Sequence, residues 1–377
     1  MVFSRYGILC TFLYIHLVYG QPNNMGLIDD EVNEVSRLCC NVIPNSKLIT
    51  CMNSLIRVDI NQTNTRQLTV CIRFPIEYPK NKLLLEFKSR SLPTIFLDRF
   101  TKLCDEKITE FVGKPQVISV LKFVDTYLRE NPLCIVTEEI FNIKRTLDEN
   151  CGELKIRQKS SSLFLTARGG PFHFSAKFYI ADQYPVERIQ WDSCDSNLPH
   201  ALIRFVDGQA KEIARQCVEA PLRKLKTSLQ FIPKPSLERT CRFIIAAMKE
   251  FPVEVCPICE QLALPGCAQE INEGDDHEKF LIRMYCGHIY HQSCLKQFMS
   301  EPPFPPGGKI CPAKRKHSRP DGNNISTKLS TEDQNELCLQ RVTNDKWGLN
   351  DVKSAEAKWA HQQARVRELE EVIDFLQ

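Results

Sequence analysis

Residues 256–259 read CPIC, residues 286–294 read CGHIYHQSC and residues 311–312 read CP. Thiolate and imidazole groups are ligands that zinc prefers, and two of them separated by two residues can hold one ion from a tight turn. The central stretch has two cysteines and two histidines within nine residues, a density too high for a single ion. The spacing therefore predicts a metal-binding module over residues 253–320 whose ligands serve two ions.

The ligand series resembles that of the RING family of zinc modules. The resemblance implies a cross-brace, in which successive ligands alternate between two zinc ions. The implied ligands of the first zinc are Cys256, Cys259, His291 and Cys294. Those of the second zinc are Cys286, His288, Cys311 and an eighth residue.

The eighth ligand is where this chain departs from the family. The family has a cysteine at the position of Lys314, and an ammonium group cannot bind zinc unless it loses its proton. His317, six residues after Cys311, is the replacement that we expect. The alternative is a second site that is incomplete or free of metal.

The RING resemblance also implies an activity, namely ubiquitin transfer without a covalent intermediate. A RING ligase holds a ubiquitin-charged conjugating enzyme in its reactive posture, which is catalysis by positioning. The residues that match the family's apolar contact surface are Ile258, Phe298 and Pro312. Each of them could instead pack its own module. Arg315 matches the family's positive residue, the linchpin between enzyme and ubiquitin, unless His317 is the ligand, in which case that position is Ser318.

The chain before this module contains an internal repeat. Tyr78-Pro79 and Leu92-Pro93 recur 106 residues later as Tyr184-Pro185 and Leu198-Pro199. Hydrophobic periodicity predicts the same order in each copy: a helix, three strands, a strand between the two prolines and two helices. The predicted helices are 27–42, 95–111 and 117–128 in the first copy and 139–149, 202–218 and 237–248 in the second. The predicted strands are 48–52, 55–60, 68–74 and 83–87, then 154–158, 163–167, 172–180 and 188–191.

This order of elements resembles the RWD domain, a relative of ubiquitin-conjugating enzymes. The resemblance implies an α+β chain with RWD-like domains at 25–135 and 136–252, after an apolar segment at 1–24. The family's His-Pro-Asn triplet is missing after both Tyr-Pro loops, and Cys104 and Cys217 lie in amphipathic helical patterns. Both copies are therefore predicted to be binding platforms without a catalytic thiol.

Composition and the first residues bear on the compartment. The net charge of +3 gives no reason to expect nucleic acid as a partner. The uncharged stretch 6–19 is too short for a stable membrane span and has the look of a secretory signal. A buried first segment and a wrongly assigned chain start are alternatives. A secreted RING would not meet its partners, so a cytoplasmic or nuclear location is predicted.

The tail, residues 321–377, is predicted to be a polar linker followed by an amphipathic helix with 3-4 spacing over 352–376. The helix either packs on its own chain or serves self-association or partner binding. The whole arrangement resembles RWD–RING ubiquitin ligases, which implies a charged conjugating enzyme and a protein substrate as partners. The rival interpretation is a non-catalytic adaptor with a degenerate, structural RING, and Lys314 is the residue that favours it.

Overall fold

The computed structural model describes residues 24–148, 150–220, 231–271, 277, 280–284, 286–305, 308–314, 338, 342 and 349–376. Within these residues the chain is of mixed α+β class. It divides into two compact units. One contains the described residues up to Asn142 with Ile156–Ser162 and Tyr179–Glu187, and the other contains the remainder.

The first repeat is a helix, a four-stranded sheet and two helices. The sheet has the strand order β1-β2-β3-β4, and its strand pairs are antiparallel. Its elements are α1 (Asn24–Val42), β1 (Ser46–Met52), β2 (Leu55–Thr63), β3 (Arg66–Arg73), β4 (Leu84–Lys88), α2 (Thr94–Ile108) and α3 (Val117–Glu130). The sequence therefore predicted every helix and strand of this repeat to within a few residues.

Alternation of apolar side chains explains this sheet. Residues two apart in a strand point to the same face, and β2 and β3 bury such residues while α2 and α3 cover that face. The buried strand residues are Ile56, Val58 and Ile60 of β2 and Leu68, Val70 and Ile72 of β3. The covering helices bury Phe100 and Val124 at helical spacing from their neighbours.

The second repeat has the same order. Its sheet runs β5-β6-β7-β8 and is preceded by α4 (Thr137–Thr146). Its other elements are β5 (Gly152–Arg157), β6 (Ser162–Gly169), β7 (Phe172–Tyr179), β8 (Gln190–Ser196), α5 (His200–Val218) and α6 (Leu237–Glu250). Gly169 allows the end of β6 to pass close to α6, since an added Cβ would lie 1.7 Å from the carbonyl oxygen of Met248.

Both repeats tie the Tyr-Pro loop to their first helix through a buried carboxylate. In the first repeat, the Tyr78 hydroxyl donates to Glu31, and the Val117 backbone N–H donates to the same carboxylate at 2.7 Å. In the second repeat, Tyr184 donates to both oxygens of Glu139 at 2.7 and 2.8 Å. Burial raises the pKa of Glu31, and its hydrogen bonds oppose that shift. The repeat seen in the sequence is thus also a repeat of this buried pair.

Removal of the Tyr78 hydroxyl is expected to destabilise the first repeat. Tyr78→Phe would leave one oxygen of buried Glu31 and the Gln116 N–H without this partner. Such a loss costs about 2 kcal/mol in free energy of unfolding. Tyr127→Phe is the matched control, because the Tyr127 hydroxyl has no hydrogen bond within the described structure. Urea denaturation should separate the variants, and equal unfolding midpoints would contradict a stabilising role for the pair.

In the described part of the chain, the cysteines outside the predicted ligand motifs are mostly buried. Cys104 is fully buried on α2, and burial raises the pKa of its thiol to about 12. Cys217 is 2% exposed on α5. A reactive thiolate needs a lowered pKa and access, so Cys104 does not have the character of a nucleophile. Among the described cysteines outside the predicted ligand motifs, Cys40 and Cys267 are exposed.

The C-terminal region contains three short elements and a long helix. These are β9 (Leu281–Arg283), β10 (Ile289–His291), α7 (Gln292–Ser300) and α8 (Leu349–Leu376). The predicted tail helix is thus present and begins three residues earlier than the spacing indicated. In the part of the chain that is described, no helix combines the length and the apolar character needed to cross a bilayer.

Candidate metal centre

The first pair of cysteines lies on a tight turn after the second repeat. The Glu260 N–H donates to the Cys256 carbonyl at 2.8 Å, and the Cys256 N–H donates to the Gln261 carbonyl at 2.8 Å. Glu260 has a φ of 57°, the left-handed conformation that closes the turn. Backbone bonds therefore hold both thiols on one side of the loop without help from a disulfide.

A hairpin presents the central ligands. Strands β9 and β10 pair antiparallel, and the turn between them carries Cys286 and His288. Gly287 in this turn has a φ of 86°, and an added Cβ would lie 3.3 Å from the Arg283 guanidinium, so a side chain there would be strained. His291 ends β10 and Cys294 lies in the first turn of α7. The turn of the hairpin thus carries ligands of one cluster, and its far end carries ligands of the other.

The first cluster contains the four predicted ligands Cys256, Cys259, His291 and Cys294. Their ligand atoms all lie within 4.8 Å of one another. The Nδ1 atom of His291 lies 3.4 Å from Cys259 Sγ and 3.9 Å from Cys294 Sγ. Cys256 is fully buried, and the other three are partly exposed. The four side chains could therefore hold one metal ion.

The second cluster contains three predicted ligands and a cysteine that the ligand spacing did not indicate. Cys286, His288 and Cys311 meet Cys338, again with all ligand atoms within 4.8 Å. Cys338 lies outside the spacings from which the ligands were predicted, and the structure places it among the candidate ligands. His317, the expected eighth ligand, lies outside the described residues. The candidate ligand set thus extends past residue 320, the predicted end of the module.

Backbone pairing brings Cys338 to this cluster. The Cys338 N–H donates to the Ala313 carbonyl, and the Val342 N–H donates to the Lys309 carbonyl, both at 2.9 Å. Because the partner numbers fall as the donor numbers rise, Cys338 and Val342 pair in antiparallel order with Ala313 and Lys309. Val342 is 5% exposed and belongs to the module's apolar cluster. The chain therefore returns to the cluster after 26 intervening residues, and backbone hydrogen bonds hold it there at Cys338 and at Val342.

In the second cluster, a thiol proton and a metal cation would bind the same sulfur electron pairs. A hydrogen bond from Cys286 lowers the pKa of Cys311 to about 3 and raises that of Cys286. The His288 Nδ1 lies 3.3 Å from Cys286 Sγ and 3.5 Å from Cys311 Sγ. Buried polar groups this close require an opposite charge or shared protons. The arrangement suits a metal ion.

Tyr290 contacts the second cluster and was not predicted from the motifs. It is fully buried, and its hydroxyl lies 2.8 Å from the Cys311 sulfur. A hydrogen bond to a ligand sulfur orients that ligand and spreads its negative charge. The sequence signal for this role was the position of Tyr290 between the two predicted ligands His288 and His291.

Lys309 links helix α7, which carries the predicted contact residue Phe298, to the chain that follows the helix. It is 6% exposed, and its ammonium group donates to the carbonyls of Phe298 and Glu301 at the end of α7. The same group lies 4.7 Å from the Phe298 ring centroid and 5.0 Å from that of Phe304. A cation suits both a helix C-terminus and an aromatic face. Lys309 therefore holds Phe298 in position.

Arg283 connects the hairpin to the second repeat. Its guanidinium lies 3.3 Å from the centroid of the Phe205 ring on α5. Burial lowers the pKa of Arg283, and nearby Glu254, Cys286 and Glu250 act in the opposite direction. A stacked guanidinium keeps its charge at neutral pH. This contact fixes β9 against α5.

The predicted contact residues differ in exposure. Pro312 is exposed, whereas Ile258 and Phe298 are half-buried against the apolar cluster of the module. Arg315 lies outside the described residues. Cys267 and His277 lie in the long loop after Cys259, a position that favours exposed residues over ligands, and both are exposed.

Comparison with known proteins gave no further assignment. No protein-family model matches the chain, and a search of curated proteins found no significant match.

Proposed function

We propose that this protein is a RING-type ubiquitin ligase with two structural zinc ions. The observation that carries the proposal is the pair of interleaved clusters, each with three cysteines and one histidine. Two such clusters sharing one hairpin form the cross-brace that the RING resemblance implies.

The donor set and its spacing support zinc as the metal. Zinc takes tetrahedral sites of cysteine and histidine, with bonds of about 2.3 Å to sulfur and 2.0 Å to nitrogen. Those bonds place a sulfur and a nitrogen of one site about 3.5 Å apart. The sulfur–nitrogen distances in the two clusters are 3.4, 3.9, 3.3 and 3.5 Å. Zinc bound there would supply folding energy and no chemistry of its own.

Residues of the module itself, and not the zinc ions, would promote ubiquitin transfer. Ile258 and Pro312 lie beside ligands of different clusters, so both loops must be fixed for the two to form one surface. Phe298, held by Lys309, adds an aromatic side chain from α7. This surface would bind a conjugating enzyme and favour the reactive posture of its ubiquitin thioester.

The two repeats are the proposed binding part of the ligase. As RWD-like domains, they would bind the protein substrate or a partner. The burial and raised pKa of Cys104 support a role without thiol chemistry for the first repeat. Conjugating enzymes are cytosolic and nuclear proteins, so the proposal includes one of those compartments for this chain.

The rival adaptor function loses its main argument if Cys338 is the eighth ligand. Lys314 favoured a degenerate RING because it replaces the family's cysteine. With Cys338 within reach of the other three ligands, a lysine at that position leaves no vacancy.

An autoubiquitination assay on the full chain tests the proposal. With activating enzyme, ATP and a panel of conjugating enzymes, we expect ubiquitin chains in the presence of at least one panel member. Cys286→Ala removes a ligand of the second site and should abolish the signal, while Cys267→Ala, at an exposed cysteine outside both clusters, should not. Absence of transfer with the whole panel from a chain that retains its metal would favour the adaptor.

A further inference from the structure

The distal part of helix α8 exposes an apolar stripe to solvent. Val366, Leu369 and Ile373 are 47%, 59% and 54% exposed, although such side chains normally lose most of their surface on folding. The helix contacts its own module earlier, where the Trp359 ring lies 5.7 Å from that of Phe304. The exposed stripe, which we call the seam, begins one heptad after that contact.

The width of the seam indicates what kind of partner covers it. Seam residues recur at steps of three and four, so they occupy alternating a and d positions of a heptad, with Val366 and Ile373 at a and Leu369 at d. A helix that packs on a globular surface has a broader apolar face, whereas a strict a/d stripe fits one other helix. The occupant is therefore an α-helix with a matching seam.

The chemistry of the seam selects a second copy of the same helix. β-branched residues at a with leucine at d favour two-stranded parallel coiled coils. The sequence continues this pattern with Leu376 at the next d position. Another copy of α8 has the matching a and d residues in register, so self-pairing buries every seam residue.

The charges flanking the seam define the orientation. Lys358 and Arg365 occupy g positions, and Gln363 and Glu370 occupy e positions, and all four are exposed. In a parallel pair, the g residue of one helix faces the e residue of the next heptad in its partner, which joins Arg365 to Glu370. An antiparallel pair would place g residues opposite g residues and would therefore lose the contact between Arg365 and Glu370.

From these observations we propose that the protein forms a parallel homodimer through residues 362–376 of α8. The dimer would place two copies of the C-terminal module at the same end of the coiled coil, because each module contacts its own helix at Trp359. The inference rests on the seam and its flanking charges, so it is independent of the proposed ligase function.

Sedimentation velocity of the full chain between about 1 and 100 µM tests the dimer, since pairing by a short coiled coil depends on concentration. We expect a mass that rises with concentration from 43.4 kDa toward twice that value. Val366→Glu with Leu369→Glu should weaken dimerisation at least about tenfold, because the seam then carries like charges. The matched control is Ala360→Glu with Ala364→Glu, which adds the same charge outside the seam and should leave the dimer intact.

A charge swap tests the orientation. Arg365→Glu and Glu370→Arg should each weaken the homodimer, whereas the double variant should restore it, because the interhelical pair is rebuilt with reversed sign. A mixture of the two single variants should form heterodimers. A wild-type chain that stays monomeric over the whole concentration range would overturn the proposal. So would a dimer that persists in the Val366→Glu, Leu369→Glu variant or dissociates in the Ala360→Glu, Ala364→Glu control. Failure of the double variant to recover would overturn the parallel orientation.

Discussion

Replacement of Cys338 with alanine is expected to release one of two zinc ions from the chain. The ligand atoms of Cys286, His288, Cys311 and Cys338 lie within 4.8 Å of one another, so the loss of Cys338 leaves a site with three protein ligands. A structural zinc site contributes about 10–16 kcal/mol of binding energy, and that energy is also folding energy. The effect should therefore extend to the backbone hydrogen bond between Val342 and Lys309.

Elemental analysis after exhaustive dialysis measures this effect directly. Wild type should contain about two zinc ions per chain and Cys338→Ala about one. Cys267→Ala controls for the removal of a thiol from the same region, since Cys267 is exposed and belongs to neither cluster. His317→Ala should keep both ions. If His317→Ala loses an ion while Cys338→Ala keeps two, the ligand assigned from the sequence is right and the one assigned from the structure is wrong.

The second large effect is expected from Ile258→Ala, which should abolish ubiquitin transfer while both zinc ions stay bound. Ile258 lies between the first two ligands and is half-buried, so part of its side chain remains available to a partner. Truncation of a central apolar contact costs about 2 kcal/mol or more in binding, roughly a 30-fold loss of affinity.

Val253→Ala is the matched control for this change. It also shortens an aliphatic side chain, and Val253 is 70% exposed before the first zinc loop. Transfer rates should fall in the Ile258 variant and stay near wild type in the control. Retained activity in Ile258→Ala would remove this residue from the docking surface, while a loss of zinc in that variant would show that it acts through folding of the module.

The helices and strands of both repeats could be predicted because their signals are local. Apolar residues alternate in β2 and β3 and recur at helical spacing in α3, and each signal lies within one element. Strand β8 was predicted to end at Trp191 but continues to Ser196. It lies at the edge of its sheet, where backbone pairing extends a strand without buried apolar side chains.

The candidate metal centre could be predicted only where its ligands lie close together in the sequence. Seven ligands occur in short motifs or follow the family's order, whereas Cys338 comes 27 residues after Cys311. Its approach depends on the pairing of Val342 and Cys338 with residues 309–313, and no spacing rule contains that pairing. An incomplete count was the available signal, because seven ligands imply a missing eighth and Cys338 is the next cysteine in the chain.

Anomalous diffraction at the zinc absorption edge, from crystals of the full chain, tests the central claim most directly. We predict two zinc peaks per chain, one among Cys256, Cys259, His291 and Cys294 and the other among Cys286, His288, Cys311 and Cys338. Sulfur should lie about 2.3 Å and nitrogen about 2.0 Å from each peak. A single peak, or a second peak without the Cys338 sulfur in its coordination shell, would contradict the account.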